Sequence, residues 1–264
     1  MKVFEAVEKD EWLLSKIPEI TLLFWLLKIV ATTLGETFGD FLSMSLGLGY
    51  VHSFFISFVI FVTLLVLQLY SKTYSPPIFW FSIASTTVMG TEISDAMDRT
   101  FGLGYFLGSL ILSAGLFLTL FVWYMRYKTI NIRPMNEPLK EVFFWTAVVF
   151  SNSLGTAFGD FLTDNIGLSY IEGAIATSLV IIFVFLLHHF TKLNKTLLFW
   201  VAFIFTRPFG ATFGDLLTKP HSMHGLALDR LTSSLVELFV FVLLLIMEYL
   251  RHENKRILSR HGEP

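Results

Sequence analysis

The stretch "SLGTAFGDFL" at residues 153–162 decides the fold, because the chain repeats it. Residues 33–42 read "TLGETFGDFL", 208–217 read "PFGATFGDLL", and a looser copy, "VMGTEISDAM", occupies 88–97. Each copy lies inside an apolar run, where an aspartate is expensive. Working outward, every copy is preceded by a Phe-Trp pair ending in Trp25, Trp80, Trp145 or Trp200. Ten residues after each Trp stands Gly35, Gly90, Gly155 or Gly210, and fifteen after it stands Asp40, Asp95, Asp160 or Asp215. Three copies then close on "GLGY", "GLGY" and "GLSY", at Tyr50, Tyr105 and Tyr170, while the fourth reads "SMHG" at 222–225. Each unit continues into a second apolar run long enough to span a bilayer.

Four units of two helices predict an all-α membrane protein with eight transmembrane helices. The expected spans are 18–43, 49–71, 77–97, 103–127, 140–163, 168–190, 196–218 and 226–250, grouped as repeats at about 18–74, 75–128, 138–193 and 194–251 of a single integral membrane domain, 1–264. Two spans return the chain to the same side, so the repeats are parallel and related by a pseudo-symmetry axis normal to the membrane. The basic stretch "RYKTINIRPMNEPLK" at 126–140 separates two halves.

Composition agrees. The chain has 264 residues, 54% hydrophobic and only 15% charged, with a mean hydropathy of +0.67. A net charge of −2 gives no reason to expect nucleic acid as a partner, and the absence of cysteine removes disulfides, thiolate metal sites and cysteine nucleophiles. The N-terminal 20 residues lack the basic and apolar regions of a cleaved signal, so the first span serves as the anchor. Lys2, Lys9, Lys16, Lys72, Arg126, Lys128, Arg133, Lys140, Lys192, Lys195, Arg251, Lys255, Arg256 and Arg260 fall on the side of the termini, against Arg99, Lys219 and Arg230 opposite. The positive-inside rule then puts both termini in the cytoplasm, with the aspartates near the outer ends of the odd helices.

Four tandem two-helix units, each with its Trp and its G-x-x-x-G-D-like stretch, resemble the bacterial family of uncharacterised membrane-anchored proteins with four copies of a repeat of unknown function. The likeness covers residues 18–250 or so. It implies the architecture and a multi-pass place in the bacterial inner membrane, and it implies no activity.

Function is therefore read from the residues. Gly35/Gly39, Gly90/Ser94, Gly155/Gly159 and Gly210/Gly214 are small-xxx-small pairs that let helix backbones approach. Packing does not explain the carboxylates. Steps of four back from each Asp trace a polar stripe: Lys28, Thr32, Glu36 and Asp40; Thr87, Thr91 and Asp95; Asn152, Thr156 and Asp160; Arg207, Ala211 and Asp215. Glu92 adds a carboxylate beside Asp95. With Asp40, Asp95, Asp160, Asp215, Glu36 and Glu92 facing inward, against Lys28 and Arg207 as counter-charges, the interior would be four charges negative. All-oxygen surroundings suit Mg²⁺, Ca²⁺ or Mn²⁺.

The leading expectation is a transporter for a small cation, a divalent metal ion such as manganese, with proton coupling. No enzymatic activity and no cofactor are expected, and a homo-oligomer is left open. One alternative is a non-catalytic scaffold or sensor, with the charges as struts or helix caps. Another is an intramembrane aspartyl hydrolase, although the G-x-G-D of presenilin-like proteases needs Gly where this chain has Phe38, Ile93, Phe158 and Phe213. The histidines of "HSMH" at 221–224 read as a solvated loop, with a transition-metal site at the outer mouth as the alternative. His52 and Glu172 read as interfacial groups, and Glu237 as an acid deep in the last span that must be paired, protonated or functional.

Overall fold

A computed structural model describes residues 15–135 and 137–261, without the side chains of the last two. Lys2 and Lys9, used above for orientation, lie outside the described residues. Among the described residues eight long helices follow one another: α1 Leu22–Asp40, α2 Gly49–Tyr70, α3 Pro76–Asp95, α4 Tyr105–Tyr127, α5 Pro138–Asp160, α6 Tyr170–Phe190, α7 Lys195–Thr218 and α8 Arg230–His261. The last runs eleven residues past its expected end.

Starts and stops are chemical. Pro76 and Pro138 open α3 and α5, where a missing N–H costs nothing. Asn194 Oδ1 accepts from the Thr196 and Leu197 amides at the start of α7 (2.9 and 3.3 Å). Gly47 and Gly49, both at positive φ, turn the chain between α1 and α2. In the third unit Ser169 replaces the second glycine and forms a reciprocal capping box with Glu172, which gives Glu172 a structural task at the helix start.

The four inner helices, α1, α3, α5 and α7, close a ring in that order. Each outer helix packs on the inner helix of the following unit rather than on that of its own: α2 on α3, α4 on α5, α6 on α7, and α8 back onto α1. The links at 71–75 and 191–194 are short, so α2 and α6 each end beside the start of the inner helix they pack on.

Glycine sets the inner packing. A Cβ on Gly35 would lie 2.8 Å from the Thr87 carbonyl carbon, one on Gly90 2.9 Å from that of Asn152, and one on Gly210 2.7 Å from that of Thr32. A Cβ on Gly155 would strike the Arg207 side chain. Thr32, Thr87, Asn152 and Arg207 hold equivalent places in the four units, so one contact recurs at every seam. One turn on, Gly39, Gly159 and Gly214 face Thr91, Ala211 and Glu36 in the same pattern. Two levels in one order make the inner helices parallel and in register. Thr87 and Thr32 reinforce two seams by donating to the Ala31 and Thr206 carbonyls of the neighbouring helix (2.8 and 3.1 Å).

Seven of the eight helices are long and apolar enough to cross a membrane. The inner ones among them have 61% of their apolar window buried, the outer ones 17–28%. The sequence reading expected eight such spans. The helix that falls short is α3, whose Ser82, Ser85, Thr86, Thr87, Thr91, Glu92, Ser94 and Asp95 lower its hydropathy and are buried inside the bundle.

Candidate cation site

Along each inner helix the side chains form layers. At the end nearest the termini lies an aromatic collar. Phe24 meets Trp80 (5.3 Å between ring centroids), Phe79 meets Trp145 (5.6 Å), Phe144 meets Trp200 (6.3 Å) and Phe199 meets Trp25 (5.8 Å). One Phe–Trp contact therefore recurs around the ring. Trp25 is half-buried, and the other three Trp side chains are buried. The tryptophans thus serve helix packing.

The next layers hold the buried bases. Lys28 Nζ donates to Asn152 Oδ1 (2.9 Å) and sits 4.2 Å from the Phe203 ring centroid. Asn152 Nδ2 donates in turn to Thr86 Oγ1 (2.9 Å). Lys28, read from the sequence as a counter-charge to the carboxylates, meets an amide instead. Arg207 does reach an acid: its Nη2 donates to Glu36 Oε2 (2.9 Å) and to Thr91 Oγ1 (2.5 Å). Nε and Nη1 of this fully buried guanidinium have no hydrogen-bond partner among the described residues.

The carboxylate layer comes last. Asp40, Asp95, Asp160 and Asp215 are 1–3% exposed. Ligand atoms of Glu36, Asp160 and Asp215, from three different helices, lie within 4.8 Å of one another. Glu92 is buried completely, and neither of its oxygens has a hydrogen-bond partner among the described residues; Asp40 Oδ1 likewise has none. Asp40, Asp95 and Glu36 are the acids within electrostatic reach of Glu92. Thr32, Thr87, Thr91, Asn152 and Thr156 are all buried, and Thr156 Oγ1 has no partner there.

In the first three units the α-helix changes to a π-helical turn right after the aspartate, at Phe41–Ser45, Ala96–Thr100 and Phe161–Asn165. Asp40, Asp95 and Asp160 make no capping bond to those turns, so they are not helix caps. Wider turns of this kind often mark functional sites.

Sequence reasoning missed the partners of the aspartates. Lys219 Nζ sits between Asp215 Oδ1 (2.9 Å) and Asp40 Oδ2 (3.0 Å), and Arg230 Nε lies 3.4 Å from the same Asp40 oxygen. Arg99 stands between Asp95 Oδ1 (3.6 Å) and Asp160 Oδ2 (3.5 Å). Tyr50 and Tyr105 of the "GLGY" stretches accept hydrogen bonds from Arg99 (3.0 and 3.2 Å). The sequence tally set six carboxylates against two bases. With Arg99, Lys219 and Arg230 counted, six face five and the formal balance is one negative charge, not four. A signal existed: Arg99 and Lys219 fall four residues after an aspartate, one helical turn along.

Other singled-out groups have plainer places. Glu237 Oε2 accepts from Thr37 Oγ1 (2.6 Å), and His221 Nδ1 lies 2.9 Å from the Gly225 carbonyl oxygen inside its own loop.

No curated protein and no solved structure matches the chain. A family model does, four times over, at residues 23–74, 78–129, 143–194 and 198–254. Its copies coincide with the inner–outer helix pairs just described, and the chain belongs to the family of the Repeat of Unknown Function, DUF347.

Proposed function

We propose that this chain is a multi-pass membrane transporter for a small cation, a divalent metal ion such as manganese, coupled to protons. All eight helices cross the bilayer. The four repeats stand around an axis normal to it, in the cytoplasmic membrane of a bacterium, with both termini inside. The exposed apolar faces of α2, α4, α6 and α8 support the insertion, and α3 needs little apolar surface because the ring encloses it.

The observation that carries the reading is the carboxylate layer: Glu36, Asp160 and Asp215 within 4.8 Å, and a fully buried Glu92 whose oxygens have no hydrogen-bond partner among the described residues. Oxygen donors from several helices suit a hard cation and can exchange it for protons. An aspartyl hydrolase is disfavoured, since its two carboxyls share a proton, whereas here Asp160 and Asp215 come together with a third carboxylate, Glu36, and each has a base at its side, Arg99 and Lys219. The near balance of six acids and five bases favours, as a second reading, a non-transporting module in which the charges are struts. Uptake of Mn²⁺, Mg²⁺ or Ca²⁺ into proteoliposomes, with and without a proton gradient, separates the two. No flux above protein-free vesicles would leave the second reading.

A further inference from the structure

The carboxylate ring is chemically two-fold, although the repeat is four-fold. Arg99 and Lys219 occupy equivalent positions in the second and fourth units, each four residues after its own aspartate. The same position holds Met44 in the first unit and Asp164 in the third. Each base bridges its own aspartate to that of the next inner helix, Arg99 across the α3–α5 seam and Lys219 across the α7–α1 seam. The other two seams have no such bridge, and Asp215 and Asp160 approach each other across one of them.

The bases also lie outside the acids. The side chain of Lys219 is 10% exposed and that of Arg99 28%, while the aspartates they bridge are 2–4% exposed. A solute cation arriving from this end meets the bases first. Among the described residues Asp40 Oδ1, in the first clamp, has no hydrogen-bond partner, nor has either oxygen of Glu92, whose Oε1 lies beside Gly39 at the α1–α3 seam.

We infer that Asp40–Asp215 and Asp95–Asp160 are two repeat-related cation clamps, that Lys219 and Arg99 fill them as tethered cations, and that a solute cation enters by displacing them. The inference rests on the cation-transport reading for its physiological meaning, though not for its chemistry. The first clamp accepts an ammonium, which donates to Asp40 Oδ2 at 3.0 Å, and the second holds a guanidinium by charge at 3.5–3.6 Å while its N–H groups donate to Tyr50 and Tyr105. The fitting ligand class is therefore a primary ammonium or guanidinium ion, or a metal ion that supplies the same charge. Tethering suppresses binding because the side chain is always present at high effective concentration. It also keeps the empty site near neutrality, which spares the bundle the repulsion of bare carboxylates.

The test uses the full-length protein in detergent, with Lys219→Ala and Arg99→Ala. Each variant removes one tethered base; in Lys219→Ala, Arg230, 3.4 Å from Asp40 Oδ2, stays beside the first clamp, and Asp215 is left without its base. Unfolding temperature, read from tryptophan fluorescence, is titrated with propylammonium for Lys219→Ala and ethylguanidinium for Arg99→Ala. Tetramethylammonium, which has no N–H donor, serves at equal ionic strength as the control. Expected is a saturable rise for the matched cation in each variant, with none in wild type and none with tetramethylammonium. No saturable rise in either variant overturns the inference and makes both bases struts. Should the alanine variants fail to fold, Lys219→Met and Arg99→Met, which copy Met44 of the first unit, keep the apolar stem. Their Mn²⁺ affinity, from the free-ion electron paramagnetic resonance signal, is expected to be about tenfold tighter than wild type, because a competing unit charge has gone. Equal or weaker affinity in both overturns the inference. Saturable rescue in the alanine variants together with no metal flux in wild type would uphold the clamps and sink the transport reading.

Discussion

Gly90 and Asn152 meet across the α3–α5 seam with no room for a methyl group: a Cβ on Gly90 would lie 2.9 Å from both the Asn152 carbonyl carbon and the Ser153 nitrogen. Those atoms are helix backbone and cannot rotate away. The seam therefore depends on the hydrogen at this position, and the same dependence recurs around the ring at Gly35 and Gly210.

Gly90→Ala is expected to destabilise the bundle by about 2–3 kcal/mol, the upper part of the range for overpacking a tight core. Gly39→Ala is the control. Its Cβ would meet the Thr91 Cβ and Cγ2 at 3.1 Å, side-chain atoms that can give by a few tenths of an ångström, so it is expected to cost under about 1 kcal/mol. Thermal unfolding of both proteins in detergent decides the order. A Gly39→Ala variant less stable than Gly90→Ala would refute the seam geometry.

The Glu36–Arg207 pair offers a stability test separate from transport. Arg207 is fully buried, and its Nη2 is 2.9 Å from Glu36 Oε2. Removing one partner strands a charge, which typically costs about 3–5 kcal/mol, whereas removing both is far milder. Glu36→Gln and Arg207→Met are each expected to fall in that range. The double variant should be more stable than the sum of the singles predicts, by about 2 kcal/mol or more. Additive losses would mean that the two groups do not act as a pair.

The repeat made the fold legible. Invariant spacing from Trp to Gly to Asp placed the four aspartates at one level before any coordinate, and the small-xxx-small pairs named the residues at the seams. Two features were out of reach. A spacing rule cannot say which unit an outer helix packs on, because short links allow α2 to lie against α1 or α3. Nor does the four-residue spacing of Arg99 and Lys219 from an aspartate stand out, because both bases sit in segments that read as loops. The π-helical turn after Asp95 and the last turn of α7 carry these bases back over the acids. Lys28 shows the converse. Its stripe position suggested an acid partner, but the residue facing it is Asn152.

Neutralising the acids tests the cation site directly. Asp40→Asn and Asp160→Asn keep side-chain shape and remove charge, so both proteins are expected to fold. Metal uptake per folded molecule should fall at least about tenfold, since one charge-assisted ligand is lost. Asp40→Asn should be the less stable of the two, because Asp40 meets both Lys219 and Arg230, while Asp160 meets Arg99 at 3.5 Å. Uptake by proteoliposomes at matched protein amounts is the measurement. Flux equal to wild type in both variants would remove the aspartates from the pathway.

The aromatic collar makes the last prediction. Fifteen residues separate each Trp from its Asp, about 22 Å along the axis at 1.5 Å per residue. The carboxylate layer and the collar are thus at opposite ends of the inner helices. The collar closes the ring by direct ring contacts, Phe79 on Trp145 and Phe144 on Trp200 among them. On the transport proposal, the collar holds an ion at the aspartates until it opens, which is what distinguishes a transporter from a pore. Trp145→Ala removes a buried side chain and is expected to destabilise the fold by about 3–5 kcal/mol. It should also let water past the gap, so vesicles containing it should leak protons or metal ions down their gradients, where wild type holds them. Phe144→Leu, which keeps most of the apolar volume, should leak far less. Vesicles containing folded Trp145→Ala that stay as tight as wild type would show that the barrier lies elsewhere along the inner helices.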